Sequence, residues 1–191
     1  MDKREKIIEA AISAFQEKGV EKTTITDIVK RAGIAQGTYY LYFPSKLSVM
    51  PGIAEVFVTK IMDQLREQVT SDSISTQLNE VVESIFGTTD DHRELAILIY
   101  SGLTQTEHIK EWESIYSPLY EWLEQLLEQA KQVGTIRSSI QTTYTARIMV
   151  GAIESTAEQI YLYNNHEEES ALSHKQELLT FIRHALGASD S

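Results

Sequence analysis

Apolar residues recur every three to four positions along nearly the whole chain, which is the spacing that places them on one face of an α-helix. The first such stretch covers residues 2–18. Its apolar stripe consists of Ile7, Ala11, Ala14 and Phe15. No segment alternates at a period of two, so the pattern predicts no β-strand. The hydrophobic pattern therefore predicts an all-α chain.

Glycine, proline and polar clusters divide this pattern into separate helices. Gly19 and Gly33 are expected to end the first two helices, and Thr24 with Asp27 three residues later is typical of a capping box. A further break is predicted at residues 87–90, which read Gly-Thr-Thr-Asp. The nine predicted helices cover residues 2–18, 25–32, 36–43, 46–69, 77–86, 91–103, 108–133, 142–163 and 174–186.

The second and third helices are short and follow an amphipathic helix, which is the sequence form of a helix-turn-helix. Within the third helix, Tyr39 and Phe43 lie four residues apart and are expected to point inward. Gln36 and Tyr40 then share the outward face, and Gly37 leaves room for the backbone to approach DNA. This face carries amide, hydroxyl and aromatic groups but no carboxylate, as a helix in the major groove requires.

The charge is distributed unevenly along the chain. The whole sequence has a net charge of −11, but residues 1–46 carry +2 and residues 47–191 carry −13. A basic end can face phosphates while an acidic body keeps the protein soluble. Chance clustering of basic residues is the alternative reading of the charge alone.

The residues of this N-terminal region resemble the signature of the TetR family of bacterial transcriptional regulators. The matching segments, within about residues 5–50, are 23–28, 32–34, 37–43 and 45–46. The resemblance implies an all-α homodimer that binds double-stranded operator DNA. By that resemblance the DNA-contacting residues are Thr24, Thr26, Gln36, Thr38, Tyr40, Tyr42 and Lys46, the last as a phosphate clamp; Gly37 joins them because it leaves the backbone room.

Two positions depart from the family pattern. Ala35 stands where relatives usually have serine, so the third helix is expected to lack a side-chain cap, a loss of roughly 1 kcal/mol. Pro51 lies within the first turns of the fourth predicted helix. It is expected to remove a backbone hydrogen bond and to kink the helix there.

The resemblance, together with the helix pattern, divides the chain into a DNA-binding domain, residues 1–46, and an effector-binding and dimerisation domain, residues 47–191. The ninth predicted helix is apolar over more than half its circumference, and the eighth carries small residues that allow close helix approach. We expect both to form a dimer interface; the alternative is that both helices are internal to one chain. The predicted interface residues are Ala152, Ser155, Leu178, Leu179, Ile182 and Leu186.

An aromatic cluster occupies the middle helices. Such a cluster is more often plain core than a pocket, but in TetR relatives this region encloses an effector cavity. The candidate lining residues for a small-molecule effector are Met62, Leu65, Tyr100, Trp112, Tyr116, Tyr120, Met149 and Glu154. Glu154 is the possible polar anchor and would suit a cationic effector, unless it faces solvent or the partner subunit.

Other classes of protein find little support in the sequence. There is no cysteine, and the five histidines occur in no metal-ligand or catalytic motif, so no enzyme activity, cofactor or metal is predicted. No run of about 18 apolar residues and no signal peptide is present, and we expect a cytoplasmic protein. The prediction is a sequence-specific DNA-binding regulator, a repressor released by a small molecule. The alternative is a helical protein-interaction module whose basic end binds an acidic partner.

Overall fold

The computed structural model describes residues 2–103, 111–163 and 168–188, and within these ranges it contains helices and no strand. This confirms the predicted all-α architecture. The α-helices of these ranges are α1 (Lys3–Lys18), α2 (Ile25–Ala32), α3 (Gln36–Tyr40), α4 (Met50–Gln68), α5 (Ile74–Asp91), α6 (Arg93–Leu103), α7 (Trp112–Val133), α8 (Thr142–Glu158) and α9 (Glu168–Leu186). A 3-10 turn, Leu47–Val49, leads into α4, and a π-helical turn, Gln159–Tyr163, continues α8.

Side-chain caps fix the starts of the first two helices. Asp2 and Glu5 form a capping box at α1, with the Glu5 amide donating to Asp2 Oδ1 over 2.8 Å. The predicted box at α2 is confirmed, because the Asp27 amide donates to Thr24 Oγ1 over 3.2 Å and the Thr24 amide donates to Asp27 Oδ2 over 2.9 Å. Gly33 ends α2 with a φ of 66°, a left-handed conformation that glycine adopts without strain.

The third helix has no side-chain hydrogen bond at its N-cap, Ala35, as predicted. Before the next helix, Ser45 Oγ accepts a hydrogen bond from the Ser48 amide over 3.2 Å, while Lys46, the N-cap of the 3-10 turn, makes no side-chain cap. Regular α-helical geometry begins only at Met50, and Pro51 is the second residue of α4. A proline in a first turn needs no amide hydrogen, so the expected loss of a helical hydrogen bond at Pro51 is corrected, and the expected kink stays a prediction.

The break predicted at residues 87–90 is wrong, because α5 runs through it to Asp91. The hydroxyl groups of Thr88 and Thr89 donate to the carbonyl oxygens of Ser84 and Ile85, each over 2.8 Å. Both threonines are buried, so these bonds to the preceding turn satisfy their hydroxyl groups without leaving the helix. Burial of this face overrides the low helix propensity of the Gly-Thr-Thr segment.

The chain forms two compact units. The first consists of residues 1–58 and 94–115, and the second of residues 59–93 and 116–191. The boundary at residue 58 therefore falls within α4. The DNA-binding domain expected over residues 1–46 lies inside the first unit, and its boundary stays a prediction.

The first unit is built around α1, which packs on α2, while α2 packs on α3. Tyr39 and Phe43 are both buried, which confirms that they point inward. The predicted stripe of α1 is also buried, including Ile7 and Phe15, as is Ile28 of α2. This core leaves the opposite face of α3 to solvent.

The core of the second unit lies between α5, α8 and α9, which pack against one another. Four residues predicted for a dimer interface are buried in the single chain, and these are Leu178, Leu179, Ile182 and Leu186. The apolar breadth of α9 is explained by its contacts with both α5 and α8, as the alternative of helices internal to one chain requires, and the dimer interface stays a prediction. Of the other two predicted interface residues, Ala152 is half-buried and Ser155 is exposed.

Candidate nucleic-acid interface and effector pocket

Tyr39 fixes the position of α3 from the buried face of the helix. Its side chain is fully buried, and its hydroxyl group donates to the backbone carbonyl of Ser45 over 3.0 Å. Its ring meets that of Tyr40 edge-on, with 5.8 Å between ring centroids. Burial raises the pKa of Tyr39 above its ordinary value, so the phenol stays a neutral hydrogen-bond donor. The orientation of α3 is thus fixed by the segment that follows it.

The outward face of α3 is accessible. Gln36 and Gly37 are exposed, and Tyr40 and Tyr42 retain 49% and 44% of their surface, while Thr38 is half-buried. A Cβ atom added at Gly37 would meet no atom within 4 Å, so packing inside the protein does not require a glycine here. The five predicted contact residues of this segment therefore lie at or next to one open surface.

Leu41 was not predicted from the sequence and is the most exposed large apolar residue described, with 82% of its surface accessible. It directly follows α3 and lies between Tyr40 and Tyr42 along the chain. The sequence could not predict that Leu41 is exposed, because α3 is too short for the spacing of its apolar residues to show which side is buried.

Thr24 and Thr26 are exposed at the start of α2. The hydroxyl group of Thr24 also donates to Asp27 Oδ2 over 2.6 Å, and Lys18 Nζ donates to Asp27 Oδ1 over 2.6 Å. The hydrogen bond from Lys18 is the main reason that the pKa of Asp27 lies far below its usual range. The carboxylate is therefore ionised, and the neighbouring ammonium offsets its repulsion of a phosphate.

Lys46 is half-buried, and its ammonium group donates to the carbonyl oxygens of Val20 and Glu21 over 2.6 and 3.2 Å. It ties the segment before α4 to the loop after α1. An ammonium group has three hydrogens, so one remains for a phosphate oxygen. The predicted clamp thus has a structural role as well, which its position in the sequence did not reveal.

The predicted effector-lining residues divide between the two units. Tyr100 and Trp112 belong to the first, and the others belong to the second. Within the second unit, Met62, Leu65 and Met149 are buried. These three side chains are part of the apolar core of the second unit.

A hydrogen-bonded polar pair, Tyr116 and Glu154, also lies in the second unit. The hydroxyl group of Tyr116, which is buried, donates to Glu154 Oε1 over 2.7 Å, and the Tyr120 ring lies 5.9 Å from the Tyr116 ring. Burial raises the pKa of Glu154 to about 8, against the hydrogen bond from Tyr116, which favours the charged form. At pH 7 the carboxyl group is therefore mostly uncharged.

The exposed face of α8 was only partly recognised from the sequence. It carries Tyr144, Ile148, Gly151 and Ser155, whose spacing of four, three and four residues defines one helical stripe. On α9, Phe181 keeps 58% of its surface accessible. This spacing was visible in the sequence, but the buried and exposed faces of an apolar helix cannot be told apart before its neighbours are known.

The described residues contain no group of three or more His, Cys, Asp or Glu side chains that could hold a metal ion. No helix among them is long and apolar enough to cross a membrane.

Two family profiles match the chain. The profile described as "Bacterial regulatory proteins, tetR family" matches residues 7–50, and that described as "Tetracyclin repressor-like, C-terminal domain" matches residues 78–186. The HTH-type transcriptional regulator YvdT of Bacillus subtilis (strain 168) is 38% identical over 188 residues, which is 98% of this chain and 96% of that protein. The fatty acid metabolism regulator protein of the same organism is 24% identical over 78% of this chain and 79% of its own length.

Solved structures share the fold. The transcriptional regulator FadR from Bacillus subtilis, in complex with stearoyl-CoA, superposes with a TM-score of 0.74 at 21% identity, covering 93% of this chain and 96% of that one. GusR from Salmonella enterica also gives a TM-score of 0.74 at 21% identity, covering 97% of this chain and 96% of that one.

Proposed function

The chain belongs to the TetR family of helix-turn-helix transcriptional regulators, and we propose that it represses a promoter by binding an operator as a homodimer and leaves the operator when a small molecule binds. Its target would be bacterial chromosomal DNA, so it would act in the cytoplasm.

The observation that carries this proposal is the solvent-exposed face of α3, whose opposite face is fixed by the buried side chain of Tyr39. Gln36 and Tyr40 lie four residues apart on that face, with Gly37 beside them, while Tyr39 anchors the helix to Ser45 over 3.0 Å. A glutamine in the major groove can pair with the N6 and N7 atoms of adenine, and tyrosine hydroxyl groups can donate to phosphates. Rigid positioning matters because base contacts are made only in one register.

The surface proposed for dimerisation is the exposed stripe of α8 together with Phe181 of α9. Tyr144 and Ile148 keep 67% and 66% of their surface accessible. Burying a large apolar side chain contributes roughly 1.5–3 kcal/mol, so two copies of such a stripe give a substantial driving force. A twofold dimer demands a near-palindromic operator, because each subunit reads one half-site.

Release by an effector requires a connection between the two units, and α4 is continuous from residue 50 to residue 68 across their boundary. A ligand that displaces the C-terminal part of α4 would change the spacing of the two α3 helices in the dimer. Both half-sites would then no longer be engaged at once, and much of the affinity gained by linking them would be lost.

The test is selection of bound DNA from a random pool with the full chain, followed by a titration of the selected sequence. We expect a near-palindromic consensus, and we expect Tyr40→Ala to weaken its binding. Tyr163→Ala is the matched control, because Tyr163 is 70% exposed in the second unit. No enrichment of any sequence, or equal loss from both variants, would contradict the proposal and favour the alternative of an interaction module that binds an acidic protein.

A further inference from the structure

Leu41 belongs to a contiguous apolar patch on the surface of the first unit. Tyr40 before it and Tyr42 after it are also exposed. Among the residues that the structure describes, no other three consecutive positions expose large apolar side chains. A single exposed leucine is ordinary, but a patch of this kind is typical of a surface that binds a partner.

The direction of the Leu41 side chain is set by the two residues that anchor α3. Tyr39 and Phe43 are both buried, and Leu41 lies two residues from each. The Phe43 amide donates to the carbonyl oxygen of Tyr39 over 3.0 Å, so helical geometry extends over this turn. Two residues correspond to a rotation of about 200° around the axis, because an α-helix has about 3.6 residues per turn. Leu41 therefore projects from the side of the helix opposite its core.

Gly37 lies one turn before Leu41 on the same side of the helix. It is exposed, and neither residue has a side chain that can form a hydrogen bond. The flanking positions, four residues apart in each pair, are Gln36 with Tyr40 and Thr38 with Tyr42. The centre of the outward face is therefore apolar, and the polar groups of the face lie on either side of it.

The charge along this segment fits an anionic partner. No Asp or Glu occurs from residue 28 to residue 54, whereas Lys30, Arg31 and Lys46 lie in that interval. Leucine cannot bind a phosphate, because it has no hydrogen-bond donor. In the major groove of DNA, the apolar group on the base edges is the C5-methyl group of thymine. An apolar centre within a segment that has no carboxylate suits this group.

We propose that Leu41, with Gly37 leaving space beside it, reads the C5-methyl group of a thymine in each operator half-site. The inference rests on the proposed function, since it names one of the base contacts made by the same helix. Contact with Leu41 removes both apolar surfaces from water. Leu41 lies five residues after Gln36, which is about 7.5 Å along a helix or roughly two base pairs. We therefore expect the thymine within about three base pairs of the position assigned to Gln36.

The experiment replaces each thymine of the selected operator in turn by deoxyuridine, which removes the methyl group and keeps the base pair. Affinity is measured with the full chain by fluorescence anisotropy at fixed salt concentration. We expect a loss of about fourfold from one position in a half-site, and about 15-fold when both half-sites carry the change, as burial of one methyl group in each predicts.

Substitution of Leu41 supplies the other half of the test. Leu41→Ala should bind the thymine and deoxyuridine operators equally, because the contact with the methyl group is absent in both. Leu41→Met keeps an apolar side chain of similar volume and should retain a preference for thymine. Leu172→Ala is the matched control, since Leu172 is 67% exposed in the second unit, and it should keep the full difference. Circular dichroism checks that each variant is folded.

Three results would overturn the inference and leave the proposed function intact. The first is an operator whose affinity is unchanged by deoxyuridine at every position. The second is a thymine preference that persists in Leu41→Ala, because another side chain then contacts the methyl group. The third is an equal loss on all sequences in Leu41→Ala, which indicates a contact with the DNA backbone. Failure to select any operator would instead contradict the proposed function itself, and this inference with it.

Discussion

Gly52 of α4 packs closely against Ile8 of α1, and replacing it tests how tightly the two helices are packed there. A Cβ atom at this position would lie 2.7 Å from Ile8 Cδ1 and 3.1 Å from Ile8 Cγ1. Ile8 is 3% exposed, so the surrounding core limits its movement. The Gly52→Ala variant must therefore displace either Ile8 or α4.

Two opposing effects determine the size of the change. Alanine in place of glycine within a helix stabilises it by about 1 kcal/mol. Inserting a methyl group into a packed core costs about 1–3 kcal/mol. We therefore expect Gly52→Ala to lower the free energy of unfolding by about 1 kcal/mol, measured by urea denaturation followed by circular dichroism.

A second substitution separates these effects. Ile8→Val removes the Cδ1 atom and alone costs about 0.5–1.5 kcal/mol. In that background Gly52→Ala should cost less, because only the 3.1 Å contact with Cγ1 remains, which gives a coupling free energy of about 1 kcal/mol in the double-mutant cycle. Gly87→Ala is the control, because Gly87 lies in α5 and a Cβ atom there would meet no atom within 4 Å. It should stabilise the protein by about 1 kcal/mol.

Tight packing at Gly52 is refuted if Gly52→Ala stabilises the unmodified protein as much as Gly87→Ala does, or if the cycle is additive within about 0.3 kcal/mol. Operator affinity gives an independent check. A displaced α4 would disturb the segment that anchors Tyr39, so affinity should fall in Gly52→Ala and recover in the double variant.

Three further predictions concern single side chains. Ala35→Ser supplies the missing cap of α3 and should raise the free energy of unfolding by about 1 kcal/mol in urea denaturation; an unchanged midpoint would contradict this. Phe181→Asp should give a folded monomer by light scattering, whereas Ile182→Asp, at a position only 2% exposed, should lose the folded state; a dimeric Phe181→Asp variant would move the interface elsewhere. The folded chain holds the proton of Glu154 more tightly than the unfolded chain, because burial raises the pKa of this residue from an ordinary 4.5 to about 8. The stabilisation that results is fully present below pH 4.5 and is lost as the pH rises through 8. The free energy of unfolding should fall by at most about 1.4 kcal/mol per pH unit in that window, and Glu154→Gln should remove this slope in denaturation series from pH 5 to pH 8.

The N-terminal helices were predictable because short-range signals define them. The Thr24–Asp27 box and Gly33 fix both ends of α2 through contacts within a few residues. The inward direction of Tyr39 follows from its spacing with Phe43, and both are buried. The signature carried by these residues was also sufficient to identify the family.

The other elements depended on contacts between distant segments. The continuation of α5 through Gly87 requires burial of Thr88 and Thr89, which no local pattern reveals. The apolar breadth of α9 predicted an interface, but its residues Leu178 and Ile182 are covered by helices of the same chain. The second role of Lys46 likewise arises from carbonyl groups 25 and 26 residues earlier in the chain.

Gln36→Ala tests most directly whether α3 reads base sequence. The measurement is the affinity of the variant and of the unmodified protein for the selected operator and for all of its single-base variants at fixed salt concentration. We predict that Gln36→Ala costs about 1–3 kcal/mol on the selected operator and flattens the preference at one position of each half-site. Lys46→Ala should instead weaken all sequences alike. An unchanged base preference in Gln36→Ala, with or without a loss of affinity, would contradict base reading by α3.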